Sequence, residues 1–241
     1  MSGHSKWSTI KRKKGALDAK RGKIFTKLIK EITVAAKTGG GDPAANPRLR
    51  LAIDNAKSQN MPNDNIERAI KKATGEQDGV NYTELKYEGY GPAGIAVLVE
   101  CLTDNKNRTV AEVRHAFTKH GGSLGENGSV AWMFEHKGVV VGPANGKTED
   151  DILEMVLDAD PDDISIEDNF YEITSSIENF EAVRKAAVDG GLEVENASLQ
   201  WVAKNTTEIS GENLEKFMKM IDMLEDLDDV QNVYSNADIQ E

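Results

Sequence analysis

One cysteine in 241 residues leaves Cys101 without a partner in the chain, which excludes an internal disulfide and a cysteine-based metal centre. That usage suits a reducing compartment, and a cytoplasmic protein is expected. Aromatic residues make up only 6%, and no apolar run approaches the ~20 residues a membrane span needs. The first residues lack the apolar stretch of a secretory signal. They are basic and acid-poor, as a transit peptide is, but Lys11 to Lys14 form one block and Gly3, Gly15 and Gly22 interrupt any helical face. The four histidines, His4, His115, His120 and His136, show no metal-ligand spacing. No Gly-x-Ser-x-Gly elbow is present to expose a nucleophilic serine. No cofactor, no metal, no small-molecule substrate and no membrane partner are expected.

What the chain does have is charge, unevenly placed. The formal net charge is −12, yet residues 1–75 carry 17 Lys/Arg against 6 Asp/Glu, a net of +11. The remainder, with 12 basic and 35 acidic residues, carries −23. Ten cations fall in the first thirty residues, where Asp18 is the sole acid. A cationic arm on an acidic body points to a polyanion that meets the protein at one end only. The candidate nucleic-acid-binding residues are Lys6, Trp7, Lys11, Arg12, Lys13, Lys14, Lys20, Arg21 and Lys23. Arginine offers a two-pronged phosphate contact, lysine a point charge, and an exposed Trp a stacking platform for a base.

Residues 2–22 have too few apolar side chains for a core and read as an arm. Phe25, Leu28, Ile29, Ile32 and Ala36 then follow helical spacing until Gly39-Gly40-Gly41. Asp42-Pro43 and Asn46-Pro47 each read as an N-cap followed by a first-turn proline. Helices are expected after Asn46 and from Asn63 to Ala73, closing a small bundle dressed with Arg48, Arg50, Lys57, Arg68, Lys71 and Lys72. Tyr82 to Tyr87 alternates weakly, and Gly94 to Leu102 reads as a buried strand. Further strands are expected at 128–135, 138–141, 164–167, 170–174, 192–195, 199–206 and 230–234. Helices are expected at 108–120, 149–159, after Ser176 and at 212–227.

Residues 137–196 thus spell β-α-β-β-α-β, the order of a ferredoxin-like unit, and the flanking β-α-β pieces join into a second. The fold class expected is α+β: an N-terminal three-helix bundle plus two ferredoxin-like α/β domains, one inserted in the other. The expected divisions are an arm at 1–22, a helical domain at 23–76, a discontinuous α/β domain at 77–135 with 197–241, and an inserted domain at 136–196.

Three strings imitate catalytic motifs. Gly142-Pro-Ala-Asn-Gly146-Lys147-Thr148 follows a strand and opens a helix, but it has three residues between its glycines where a phosphate-binding loop needs four. Glu149, Asp150 and Asp151 would also repel a triphosphate, so Thr148 and Asp151 read as a helix cap. The Gly121–Ser129 loop follows a helix C-terminus and reads as a turn. Thr103–Thr109 could hold a catalytic carboxylate, and reads more simply as the capped start of a helix. Glu225, Asp226, Asp228 and Asp229 read as a solvated acidic face.

Several strings resemble the YebC/PmpR family: Gly3-His4-Ser5-Lys6-Trp7, Asp42-Pro43, Leu49-Arg50-Leu51-Ala52-Ile53, Asn60-Met61-Pro62 and Ile66-Glu67-Arg68-Ala69-Ile70. Glu88-Gly89-Tyr90-Gly91-Pro92, Leu102 to Thr109, Gly121 to Gly125 and Gly128-Ser129-Val130 complete the pattern. The resemblance runs from residue 2 to the end; Lys106 stands where the family often has Arg. It implies a cytoplasmic, non-enzymatic protein with a helical N-terminal domain and two α/β domains. Family members are described as transcriptional regulators that bind DNA. Mitochondrial relatives are translational activators of cytochrome c oxidase, and bacterial relatives have been linked to the ribosome. The expected partner is nucleic acid, as DNA or as ribosomal RNA on a ribosome.

Overall fold

The computed structural model describes residues 21–75 and 81–239. The expected arm, from Lys6 to Lys20, lies outside them. Among the described residues, one compact unit spans 21–131 with 210–234, and a second spans 132–209 with 235–239.

The first unit begins with three helices, α1 (Arg21–Gly39), α2 (Pro47–Ser58) and α3 (Asn63–Thr74). Their core is Ile32, Ala35, Ala36, Leu49, Ala52, Ala56, Met61, Ile66 and Ala69: Ala35 and Met61 join positions the helical spacing selects, while Phe25, Leu28 and Ile29 of the expected stripe are only partly buried. α1 stops at Gly40, whose φ of +87° only glycine adopts cheaply. Asn46 then links two helix ends. Its side-chain oxygen accepts from Leu49 N at 3.0 Å, while its amide donates to the Ala35 and Gly40 carbonyls at 2.8 and 2.9 Å. Asp42-Pro43 starts no helix: Asp42 Oδ1 accepts from Ala44 N two residues on, which closes a single turn instead.

The same unit carries a four-stranded sheet of order β3-β1-β2-β9, from β1 (Thr83–Tyr90), β2 (Ala96–Thr103), β3 (Ser123–Leu124) and β9 (Val230–Ser235). It opens with a hairpin rather than the expected β-α-β: the weakly alternating segment is a full strand, paired antiparallel with β2 from Thr83↔Thr103 to Tyr90↔Ala96. The continuous apolar run of β2 fits its central place, buried on both faces. Helices α4 (Lys106–Lys119) and α7 (Gly211–Glu225) cover one face. A Cβ at Gly89 would stand 2.7 Å from Phe117 of α4, and one at Gly91 2.9 Å from Met220 of α7, so α4 packs close against β1 and α7 against the turn that follows it.

Apart from residues 235–239, the second unit lies between β3 and α7 in sequence. It is built from β4 (Phe134–Pro143), α5 (Glu149–Val156), β5 (Asp163–Glu167), β6 (Phe170–Ser175), α6 (Phe180–Asp189) and β7 (Asn196–Ala203). The antiparallel sheet has order β5-β6-β4-β7, the ferredoxin-like arrangement expected for the insert. A parallel pair, β8 (Thr207–Ile209) and β10 (Ala237–Ile239), completes the unit. The protein is therefore α+β, with N-terminal helices followed by two sheets, one inserted in the other.

Three expected strands differ. Residues 128–133 do not form one, because Val130 N and Ala131 N are engaged by a carboxylate described below; β4 starts at Phe134 and absorbs 138–141. Residues 192–195 do not either, because Leu192 N closes α6 on the Ala187 carbonyl after Gly191 turns with φ +81°. The segment expected at 199–206 is β7, and it closes the inserted sheet against β4 rather than the outer one.

The phosphate-loop imitation resolves as packing. Thr148 Oγ1 accepts from Asp151 N at 3.2 Å and Asp151 Oδ2 accepts from Thr148 N at 2.8 Å, a reciprocal capping box that holds the Asp151 carboxyl below its usual range. A Cβ at Gly142 would sit 1.8 Å from the Glu193 carbonyl oxygen, so that position needs glycine for close backbone approach. Gly142→Ala should lower thermal stability sharply. A midpoint within a degree or two of wild type would show that the backbone yields there.

Candidate nucleic-acid interface

Of the candidate contact residues, Lys6, Trp7, Lys11, Arg12, Lys13, Lys14 and Lys20 lie outside the described residues. Arg21 opens α1. Lys23 is partly exposed and pairs within the protein. Together with Lys27 and Lys30 it occupies one side of α1 at i, i+4 and i+7, and the three donate to the end of α7 and the turn that follows it. Lys23 Nζ reaches Asp226 O at 3.1 Å and Asp226 Oδ1 at 3.2 Å, Lys27 Nζ reaches Glu225 O at 2.8 Å, and Lys30 Nζ reaches Asp228 O at 2.7 Å. The last carbonyls of a helix lack partners along their own chain and carry its negative end, so a row of ammonium groups satisfies both needs.

Lys30 continues into a buried cluster. Its Nζ lies 2.9 Å from Asp229 Oδ1 and 5.4 Å from the centre of the Tyr82 ring. The other oxygen of Asp229 accepts from Thr103 Oγ1 at 3.0 Å, Thr109 Oγ1 at 2.9 Å and Arg108 Nη2 at 2.6 Å. Burial alone would raise the Asp229 carboxyl, but Arg108, Lys30 and Thr109 outweigh it and hold it at about 2. Asp229 is 3% exposed, so the C-terminal acidic group is not one solvated face as expected. Thr103–Thr109 is the helix start the sequence suggested: Asn105 caps α4 by accepting from Arg108 N at 3.1 Å, and Asp104 pairs with Arg108 at 2.8 Å. Its residues also fix α1 and its bundle to the sheet. The readable signal was the 23-27-30 lysine row, set beside the apolar stripe of the same helix.

On the bundle's outside, Arg48 is committed to Glu31 at 2.8 Å and Glu84 at 2.6 Å, and Arg50 donates to the Pro43 carbonyl at 3.1 Å. Lys57, Arg68, Lys71 and Lys72 are exposed. An open groove of about 480 Å³ runs between α2 and α3, with Ile53, Ile66 and Ile70 at its base and Arg50 and Lys57 at its rim.

The glycine-rich loop after α4 is held by Glu88. Its Oε1 accepts from Gly128 N at 2.7 Å and its Oε2 from Val130 N and Ala131 N at 2.8 and 2.7 Å. Burial would raise this carboxyl, and the three backbone donors nonetheless hold it below its usual range. A depressed folded-state value stabilises the fold above the unfolded carboxylate range, and that contribution is lost as pH falls through the folded value. Glu88→Gln puts an amide donor against backbone N–H groups and should cost about 1–3 kcal/mol. The loss should shrink in urea titrations run at progressively lower pH; a loss independent of pH would refute an ionised Glu88. Cys101 is buried in β2, and burial pushes its thiol up to about 12, which fits a small apolar side chain rather than a nucleophile.

Among the described residues no helix is long and apolar enough to cross a membrane, and no group of three or more His, Cys, Asp or Glu side chains is placed to hold a metal ion. Residues 5–76 match the family described as TACO1/YebC protein N-terminal domain, and residues 82–237 match the TACO1/YebC second and third domain. The chain belongs to the TACO1/YebC family. A relative from Desulfatibacillum aliphaticivorans is 57% identical over 239 residues, covering 99% of this chain and 97% of its own. One from Geobacter sulfurreducens is also 57% identical, covering 99% and 96%. One from Chlorobium phaeovibrioides is 55% identical, covering 100% and 97%. Each of the three is named "Probable transcriptional regulatory protein". The crystal structure of a conserved hypothetical protein from Aquifex aeolicus superposes with a TM-score of 0.87 at 45% identity, over 93% of each chain. In this TACO1/YebC chain the Glu88–Pro92 and Leu102–Thr109 strings are thus loop-holding and bundle-docking devices.

Proposed function

We propose that this TACO1/YebC protein is a non-enzymatic regulator of gene expression that binds nucleic acid through its basic N-terminal end. The observation that carries the reading is the segregation of charge, +11 over residues 1–75 in a chain of −12. The contacts are Lys6, Trp7, Lys11, Arg12, Lys13, Lys14, Lys20 and Arg21, extended by the exposed cations of α2 and α3. Lys23 serves chiefly to dock α1. The names of the relatives support transcription as the process regulated, with DNA as the target in this reading.

A second reading, a ribosome-associated translation factor that binds ribosomal RNA, is favoured by one feature of the bundle. α2 and α3 are consecutive helices joined by a short turn, and in a helix-turn-helix motif the start of the second helix reads the major groove. Here that start carries Asp64 and Glu67, which oppose entry into a phosphate-walled groove. An arm of point charges with one Trp suits irregular RNA at least as well. Co-sedimentation with ribosomes, compared at equal salt with binding to promoter duplex, separates the two. Retention on duplex without ribosome association supports the transcriptional reading, and the reverse supports the translational one. Association with neither would contradict the proposal as a whole.

A further inference from the structure

The inserted domain concentrates negative charge beyond that of the whole chain. Residues 149–195 hold 16 Asp or Glu against Arg184 and Lys185, a net of −14. Much of it lies on the helical layer, and α5 is its clearest part. Ile152 and Val156 are fully buried and supply what the core needs from this helix. On the outward side Leu153 of α5 and Leu157, which opens the 3-10 turn (Leu157–Ala159) that follows α5, remain 38% and 59% exposed, four residues apart. Asp150, Glu154 and Asp158, spaced four apart, are exposed alongside them. The same layer also exposes Ile177 and Val188. An acidic face needs no leucines for solubility, and a single exposed apolar residue would be ordinary. A leucine pair in register with a carboxylate ladder is the pattern of a surface that receives an amphipathic helix.

The charge selects the occupant. Nucleic acid and anionic lipid are repelled by a field of this sign, and a second copy of the face would bring −14 against −14. We propose that the α5 face of the inserted domain docks a basic amphipathic segment of a partner protein, with apolar side chains on Leu153 and Leu157 and Lys or Arg opposite Asp150, Glu154 and Asp158. The regulator would then hold nucleic acid at its basic end and a cationic protein at the inserted domain. This docking site is independent of what the arm binds.

The test uses the full chain and two fluorescent peptides of identical composition. One is a Leu/Lys helix with leucines at i, i+3 and i+4; the other has the same residues scrambled. Fluorescence anisotropy should show the amphipathic helix bound at least about ten-fold tighter than the scrambled one, a gap of about 1.4 kcal/mol. Leu153→Ser with Leu157→Ser should erase that gap. Asp150→Asn with Glu154→Gln and Asp158→Asn should weaken the amphipathic helix by a similar factor. Hydrogen-exchange protection on binding should centre on residues 149–159. Equal binding of the two peptides, wild-type binding by the leucine variant, or protection elsewhere would overturn the proposal. So would a dimer in sedimentation that the leucine variant dissociates, or displacement of the probe by a peptide of residues 2–30 at equal or higher affinity, which would make a second copy or the chain's own arm the occupant.

Discussion

Asp229→Ala should lower the unfolding free energy by about 3–5 kcal/mol, the cost of stranding a buried charge by removing its partner. Lys30 is 8% exposed and would be left among carbonyls with no counter-charge. Thr103 Oγ1 and Thr109 Oγ1 would lose an acceptor at the same time. Lys30→Met should cost less, about 1–3 kcal/mol, because Arg108 still neutralises Asp229 from 2.6 Å. That order, acid worse than base, follows from one carboxylate serving four side chains. The reverse order, or losses under 1 kcal/mol for both, would mean that the cluster is spectator to the fold. The Asp229 carboxyl sits at about 2, below its unfolded value near ~3.9, so its contribution is complete above that unfolded value and disappears as pH falls toward 2. Proteolysis of the Asp229→Ala variant should open the bundle first, since α1 loses its fixed point on the sheet.

The second large effect concerns binding. Replacing Lys11, Arg12, Lys13 and Lys14 by Ala should reduce nucleic-acid affinity by orders of magnitude at low salt and leave the thermal midpoint near wild type. If the four neutralise one phosphate each, the slope of log affinity against log salt should flatten by about 3.6 on duplex DNA or about 2.8 on a single strand. Lys23→Ala is the matched control. It removes a cation from the same end, but one engaged by Asp226, and should change the slope by less than one. An unchanged slope in the four-site variant, or a collapsed midpoint, would make the cluster structural rather than ligand-binding.

The legible parts of the fold were those set by local rules. The α1 stripe, the Asn46 cap, the Thr148–Asp151 box and the Ile164–Thr174 hairpin each follow from spacing or cap chemistry within a few residues. The misread parts depended on distant partners. Residues 128–131 look like a strand until Glu88, forty residues earlier in the chain, takes their N–H groups. Residues 199–203 fit either sheet by pattern, and pairing with β4 decides between them. For the candidate interface, composition found the basic end but could not tell a ligand-facing lysine from Lys23, Lys27 and Lys30. Their partners lie about two hundred residues away, at the end of α7. The acidic stretch 225–229 misled for the same reason: exposed Asp226 and buried Asp229 differ only in what folds onto them.

The most direct measurement is ultraviolet cross-linking of the full-length protein to bound RNA and, separately, to duplex DNA, with the linked peptides identified by mass spectrometry. Cross-links should gather between Lys6 and Arg21, with Trp7 prominent, and thin out along the exposed cations of α2 and α3. Cross-links centred on residues 132–209, with the N-terminal peptides unmodified, would contradict a regulator that meets nucleic acid by its basic end.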